Sequence, residues 1–176
     1  MKKQRYAAML LAVILGGCLS EAPAFGQTVV ESTAPTVWDA QFMSRALSLA
    51  RTEIDESRVV LRESRDPSLR RFAYEVGRAW SFNDSRLKAM ALRKGLPATA
   101  PSMEAGRRQL GELSGARGTR IVADYTRDQV ALHREAVRLF WDEAKNGGDP
   151  YIRNLASVTV PQLRHHLAYA QHLALR

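Results

Sequence analysis

The stretch DPSLRRFAYEVGRAWSFNDSRLKAM, residues 66–90, decides the fold that this chain adopts. Asp66 followed by Pro67 is a typical helix start, because an Asp side chain caps free backbone N–H groups and proline fits the first helical turn. Side chains of one helical face then recur every three or four residues, at Leu69, Phe72, Val76, Trp80, Asn83, Leu87 and Met90. This period predicts an amphipathic helix that ends where Gly95 and Pro97 interrupt it.

Three further segments show the same helical period. One covers residues 38–60, a second covers residues 121–140, and a third starts at Asp149-Pro150 and continues to Leu173. Within the third segment we expect a kink at Pro161, because proline lacks a backbone donor and crowds the preceding turn. No strand pattern of period two competes with these helices, so the sequence predicts an all-α domain.

The connection between the second and third long helices is much longer than the other two turns. Residues 95–118 are rich in Gly, Pro and Ser, with a short amphipathic patch at 103–113 that predicts one small helix. About 11 helical and about 12 extended residues reach on the order of 55 Å, more than the about 39 Å of a 26-residue helix. Two tight turns and one long crossover are typical of a ferritin-like four-helix bundle.

The first residues have the pattern of a secretory signal. Residues 1–5 are basic, residues 6–17 are apolar, and residues 22–27 (APAFGQ) contain the small residues of a cleavage site. We expect a signal peptide at 1–26, a linker at 27–36 and the bundle domain at 37–176. An alternative is equally compatible with the residues. In it, 1–17 form a lipoprotein signal and Cys18, which follows Leu15-Gly16-Gly17, becomes a lipidated N-terminus that anchors the domain to a membrane.

The composition is that of an ordinary soluble domain with a basic surface. The chain has 176 residues and a formal net charge of +8, and its arginines are spread along the sequence and form no continuous run. No nucleic-acid recognition signature is present, so we expect no nucleic-acid partner. Outside the leader no stretch approaches the roughly 20 apolar residues of a membrane helix, so we expect no transmembrane segment.

Three ionisable residues lie on helix faces that should otherwise be apolar: Glu53, His133 and His166. All three fall near the middle of their helices, so they can meet in the core. Two imidazoles and one carboxylate match a site for iron, zinc or manganese. A di-iron site would need Glu three residues before each His, and the chain has Val130 and Leu163 there, so we expect no dinuclear centre.

Two other interpretations of these residues stay open. A Glu–His pair, or histidines bonded to backbone carbonyls beside Pro161, would satisfy the polar atoms without a metal. The same residues could instead line a small-ligand pocket. No phosphate-binding loop, nucleophile elbow or Cys/His zinc spacing occurs, so no catalytic residue is assigned.

The chain resembles a family of bacterial exported proteins with a ferritin-like bundle, classed as a domain of unknown function and often described as outer-membrane proteins. The resemblance covers nearly all of residues 38–175. It is carried by FMSRALSLARTE at 42–53, DPSLRRFA at 66–73, KGL at 94–96, HREAVRLF at 133–140 and PQLRHHL at 161–167.

The resemblance implies Glu at the position of Glu53 and His at those of His133 and His166. It also implies an Asp-His pair on the second helix, where this chain has Ala79-Trp80, and an indole offers no lone pair to a metal. We therefore expect an exported periplasmic protein, held at the outer membrane if Cys18 is lipidated. Its expected role is a non-enzymatic binding, structural or stress-related one with an unidentified envelope partner. The alternative is a degenerate ferritin-like metal protein that uses Glu53, His133 and His166.

Overall fold

The structure is a computed structural model that describes residues 34–101 and 104–175. It contains α1 (Val37–Glu63), α2 (Pro67–Arg93), α3 (Glu104–Gly115), α4 (Thr119–Asn146) and α5 (Pro150–Leu173). The predicted four long helices and the short helix inside the long connection are confirmed, and the fold is the all-α, ferritin-like bundle.

The helix starts follow from local sequence. Asp66 accepts a hydrogen bond from the backbone N–H of Leu69, and Asp149 accepts from those of Tyr151 and Ile152, so both Asp-Pro pairs cap a helix as predicted. The start of α1 uses a reciprocal capping box, in which Thr36 and Asp39 each bond the other's backbone N–H.

The helices pair as two hairpins. α1 packs along α2 and α4 packs along α5, while α1 also lies against α4, and α3 packs mainly against α1. α3 approaches α1 closely, since a Cβ on Gly106 would lie 2.7 Å from the Oγ1 of Thr52. α2 and α5 touch each other more sparsely than the helices of either hairpin do.

The core is apolar and aromatic, with an unusual polar centre. Trp80, Phe72, Phe140, Tyr125 and Leu163 are fully buried. Trp38 and Trp141 stand at the rim, with 49% and 42% of their surface exposed. Burial of the large side chains supplies most of the driving force for assembly of the bundle.

Some predictions concern residues that the structure does not describe. The signal peptide at 1–26, the alternative signal at 1–17, Cys18 and most of the linker at 27–36 lie outside the described ranges. Within those ranges no helix is both long and apolar enough to cross a membrane. α5 continues through Pro161, and the kink there stays a prediction.

Candidate functional site

The three ionisable residues singled out from the sequence lie in the bundle interior. Glu53 and His133 are completely buried, and His166 is 5% exposed. The structure brings Glu53 and His133 together, with 3.3 Å between Oε1 and Nδ1. The ring centre of His133 lies 5.4 Å from that of His166, so α1, α4 and α5 each contribute one group to the same region.

Gln129 lies one helical turn before His133 on α4 and links the groups of this polar centre by hydrogen bonds. Its side-chain Nε2 donates to Glu53 Oε2 at 2.7 Å and to Glu56 Oε2 at 3.3 Å. Its backbone oxygen lies 3.1 Å from His133 Nδ1. In the tautomer that satisfies this carbonyl, Nδ1 carries the hydrogen and Nε2 of His133 carries a lone pair.

The helical pattern did not single out Glu56 or the bridging role of Gln129. Glu56 is fully buried one turn after Glu53, and the hydroxyl of Tyr125 lies 3.4 Å from that of Ser57 beside them. A signal was present, because Glu53 and Glu56 are three residues apart and Gln129 precedes His133 by four, so each pair shares a helix face. The pattern of one helix, however, does not show which polar side chains of another helix it will contact.

Burial shifts the ionisable groups of the polar centre towards their uncharged forms. Burial, and then the nearby Glu56 carboxyl, raise the pKa of Glu53 well above its usual range. Burial and Asp128 raise the pKa of Glu56 to about 8. Burial and the neighbouring His166 lower the pKa of His133 to about 3, and burial with His165 lowers the pKa of His166 to about 4. The imidazole of His133 is therefore neutral near pH 7, and its contact with Glu53 is not an ion pair.

Several buried polar atoms in this region make no hydrogen bond. They are Glu53 Oε1, Glu56 Oε1, Gln129 Oε1, His133 Nε2, His166 Nδ1 and Trp80 Nε1. The 3.3 Å contact between Glu53 Oε1 and His133 Nδ1 is not aligned as a hydrogen bond. Each buried polar atom left without a partner costs about 1–3 kcal/mol. These atoms are the part of the core that a further hydrogen-bonding or coordinating group would stabilise most.

Trp80 fills the α2 side of the centre. It is fully buried, and its ring centre lies 6.3 Å from that of His133. Its indole nitrogen is a donor only, so α2 supplies no ligand atom here. Within residues 34–101 and 104–175, no group of three or more His, Cys, Asp or Glu side chains is spaced to hold a metal ion as it stands. Metal binding by Glu53, His133 and His166 stays a prediction.

Comparisons with known proteins agree with the fold. A family model described as a domain of unknown function (DUF4142) matches residues 25–173. No curated protein shows a significant match to the sequence.

Solved structures with the same helical architecture are distant in sequence. A DUF305 fragment from Deinococcus radiodurans is 18% identical with a TM-score of 0.72, covering 81% of this chain and 98% of that one. A DUF305 protein from Streptomyces coelicolor is 15% identical with a TM-score of 0.67, covering 77% and 91%. CopM in its Cu(I)-bound form is 17% identical with a TM-score of 0.65, covering 76% and 93%. At these identities the likeness concerns the fold alone.

Proposed function

Since the chain belongs to the family described as a domain of unknown function (DUF4142), we propose that it is an exported, non-enzymatic domain that binds one transition-metal ion in its core. Glu53, His133 and His166 are the proposed ligands. Of the interpretations left open by the sequence, this is the one that the unpaired buried atoms of the polar centre support.

The unpaired donor atoms carry this proposal. Glu53 Oε1, His133 Nε2 and His166 Nδ1 are buried, make no hydrogen bond and come from three different helices. A carboxylate oxygen and two neutral imidazole nitrogens are the donor set that transition metals prefer. Coordination would satisfy all three atoms at once and offset the free energy that their burial costs.

Copper is the first candidate for the ion, ahead of the iron, manganese or zinc expected from the sequence. Divalent copper binds nitrogen and oxygen sites more tightly than the other first-row metals. Two solved structures with this architecture are CopM in Cu(I)-bound and Cu(II)-bound forms, which supports testing copper first.

The surrounding residues set the conditions for binding. An ion held there would supply positive charge to the centre, and Glu53 would bind it as the deprotonated carboxylate. Gln129 holds Glu53 through Oε2 and leaves Oε1 free, and its carbonyl orients the ring of His133. Because the present side-chain positions are not those of a formed site, binding requires rotation of at least one ligand side chain.

Export is the second part of the proposal, and it rests on the signal pattern of residues 1–26 or, in the alternative, of residues 1–17. The intact mass of the processed protein distinguishes the two possible products. Acylation at Cys18 adds lipid mass, and cleavage before Gln27 does not. A full-length mass for protein taken from the envelope fraction would contradict both.

Equilibrium dialysis of the processed protein against Cu(II), Zn(II), Fe(II) or Mn(II) tests the metal site. We expect about one equivalent of copper, a raised melting temperature, and loss of both in Glu53→Gln, His133→Gln and His166→Gln. His172→Gln, an exposed imidazole on the same helix as His166, is the matched control and should bind like the unaltered protein. Less than a tenth of an equivalent of every metal would overturn the proposal.

A further inference from the structure

The solvent-facing side of α2 carries three large apolar side chains. Tyr74, Phe82 and Leu92 are 60%, 62% and 71% exposed, and no other helix in the described part of the chain exposes as many. Single exposed apolar side chains are normal on a soluble domain, but a group of them on one face marks an interaction surface. Their spacing places all three within an arc of about 80° on the helix.

The same side of α2 is strongly basic. Arginines recur along it at intervals of seven or eight residues, at Arg71, Arg78, Arg86 and Arg93. Glu75 is the one carboxylate on this side of the helix. Together the four arginines and the three apolar side chains form the α2 face, which covers about 120° of the helix circumference and is about 33 Å long.

The arginines of the α2 face are not engaged by acidic side chains. Among the residues that the structure describes, none of the four lies within ion-pair distance of a carboxylate oxygen. The arginines of α1 differ, since all of them form ion pairs: Arg45, Arg51, Arg58 and Arg62. The charge of the α2 face is therefore left for an anionic partner.

The mixture of rings and guanidinium groups suits the headgroup region of a bilayer. The Cζ atom of Arg86 lies 5.6 Å from the ring centre of Phe82, and that of Arg93 lies 5.9 Å from that of Tyr151, which is 40% exposed. An arginine beside an inserted ring can keep its charge at the level of the lipid phosphates. A second copy of the chain suits this face poorly, because like charges would then face each other.

We propose that the α2 face docks on an anionic phospholipid surface. Tyr74, Phe82 and Leu92 enter the headgroup region, and the arginines bind the phosphates. This inference goes beyond the proposed metal binding and does not depend on it. It applies to both expected products of the leader. Cleavage before Gln27 leaves the face to act alone, whereas acylation at Cys18, 18 residues before α1, would tether the domain beside the same bilayer.

Vesicle binding by the unacylated protein that begins at Gln27 tests the docking. It should co-sediment with vesicles of phosphatidylcholine containing about one third phosphatidylglycerol, and not with phosphatidylcholine alone. Added salt should weaken the binding. Replacing Arg71, Arg78 and Arg93 together by Gln should weaken it about tenfold or more. Phe82→Ser with Leu92→Ser should weaken it several-fold, although the charge is unchanged.

The matched control removes the same charge from another helix. Arg134, Arg138 and Lys145 are exposed on α4, and replacing all three by Gln should leave the binding within about twofold of the unaltered protein. Equal losses in the α2 and α4 variants would overturn the proposal, because the attraction would then be one of net charge alone. Binding to dextran sulfate without binding to the anionic vesicles would also overturn it.

A fluorescent label shows which side meets the lipid without removing any charge. The protein that begins at Gln27 contains no cysteine, so Ser85→Cys on the α2 face and Ala131→Cys on the outer side of α4 each provide one labelling site. An environment-sensitive dye at residue 85 should shift to the blue on anionic vesicles, and the same dye at residue 131 should not. An unchanged spectrum at residue 85 on vesicles that bind the protein would show that another face docks.

Discussion

The Nζ atom of Lys94 lies 2.5 Å from Oδ2 of Asp149, and the two side chains are 7% and 0% exposed. Lys94 follows the last residue of α2, and Asp149 caps the first turn of α5 through its other carboxylate oxygen. The ammonium also lies 4.7 Å from the ring centre of Tyr151. This buried ion pair therefore joins the end of one hairpin to the turn of the other.

Lys94→Met should be strongly destabilising, because it leaves the Asp149 carboxylate buried without its partner. We expect the free energy of unfolding in urea to fall by about 3–5 kcal/mol. Adding Asp149→Asn should restore part of this loss, because Asn caps a helix and carries no charge. A loss below about 1 kcal/mol in Lys94→Met, or no recovery in the double variant, would show that the pair contributes little.

Glu143 should make stability fall as the pH rises. Burial, and then the neighbouring Asp39 carboxylate, raise the pKa of Glu143 to about 8 from its usual value of 4.5. The pKa of Asp39 is lowered, because the hydroxyl and backbone N–H of Thr36 donate to its carboxylate and outweigh its burial. A raised pKa in the folded state means that the stabilisation is complete below pH 4.5 and is lost as the pH rises through about 8.

The matched variant for this effect is Glu143→Gln, which cannot lose a proton. Relative to it, the unaltered protein should lose up to about 1.4 kcal/mol of unfolding free energy for each pH unit between these limits. Urea titrations at pH 5, 6.5, 8 and 9 measure the difference in unfolding free energy between the two proteins. The contributions of Glu53 and Glu56 cancel in this difference, because both proteins contain them. A difference that does not vary with pH would contradict the buried, protonated state of Glu143.

Trp80→His should strengthen metal binding while weakening the metal-free fold. The resemblance to the exported family implies His at this position, and the ring of Trp80 already lies 6.3 Å from His133. The smaller side chain leaves space in the core, so we expect a loss of roughly 2–4 kcal/mol in the metal-free protein. The added ligand should lower the dissociation constant for Cu(II) about tenfold or more, equivalent to about 1.4 kcal/mol.

Trp80→Phe is the control for the change in volume. It should also lower stability, but its affinity for copper should equal that of the unaltered protein, because phenylalanine offers no ligand atom. Equal copper affinities for Trp80→His and Trp80→Phe would show that α2 is not near enough to the proposed site to take part in it.

Local sequence by itself determined the helices and their inward faces. Asp66-Pro67 and Asp149-Pro150 start helices because capping depends only on atoms within one turn. The helical period also placed Glu53, His133 and His166 inside, since a residue on an apolar stripe is buried wherever that stripe packs. These predictions needed no knowledge of the neighbouring helices.

Only the tertiary structure decided which groups meet. The bridge from Gln129 to Glu53 and Glu56 and the Lys94–Asp149 pair both depend on how far one helix is rotated and shifted against another. Those offsets come from the packing of side chains on both helices at once, and a single helical pattern contains no information about its partner. For that reason the sequence could place a carboxylate and two imidazoles in the core but could not choose their neighbours.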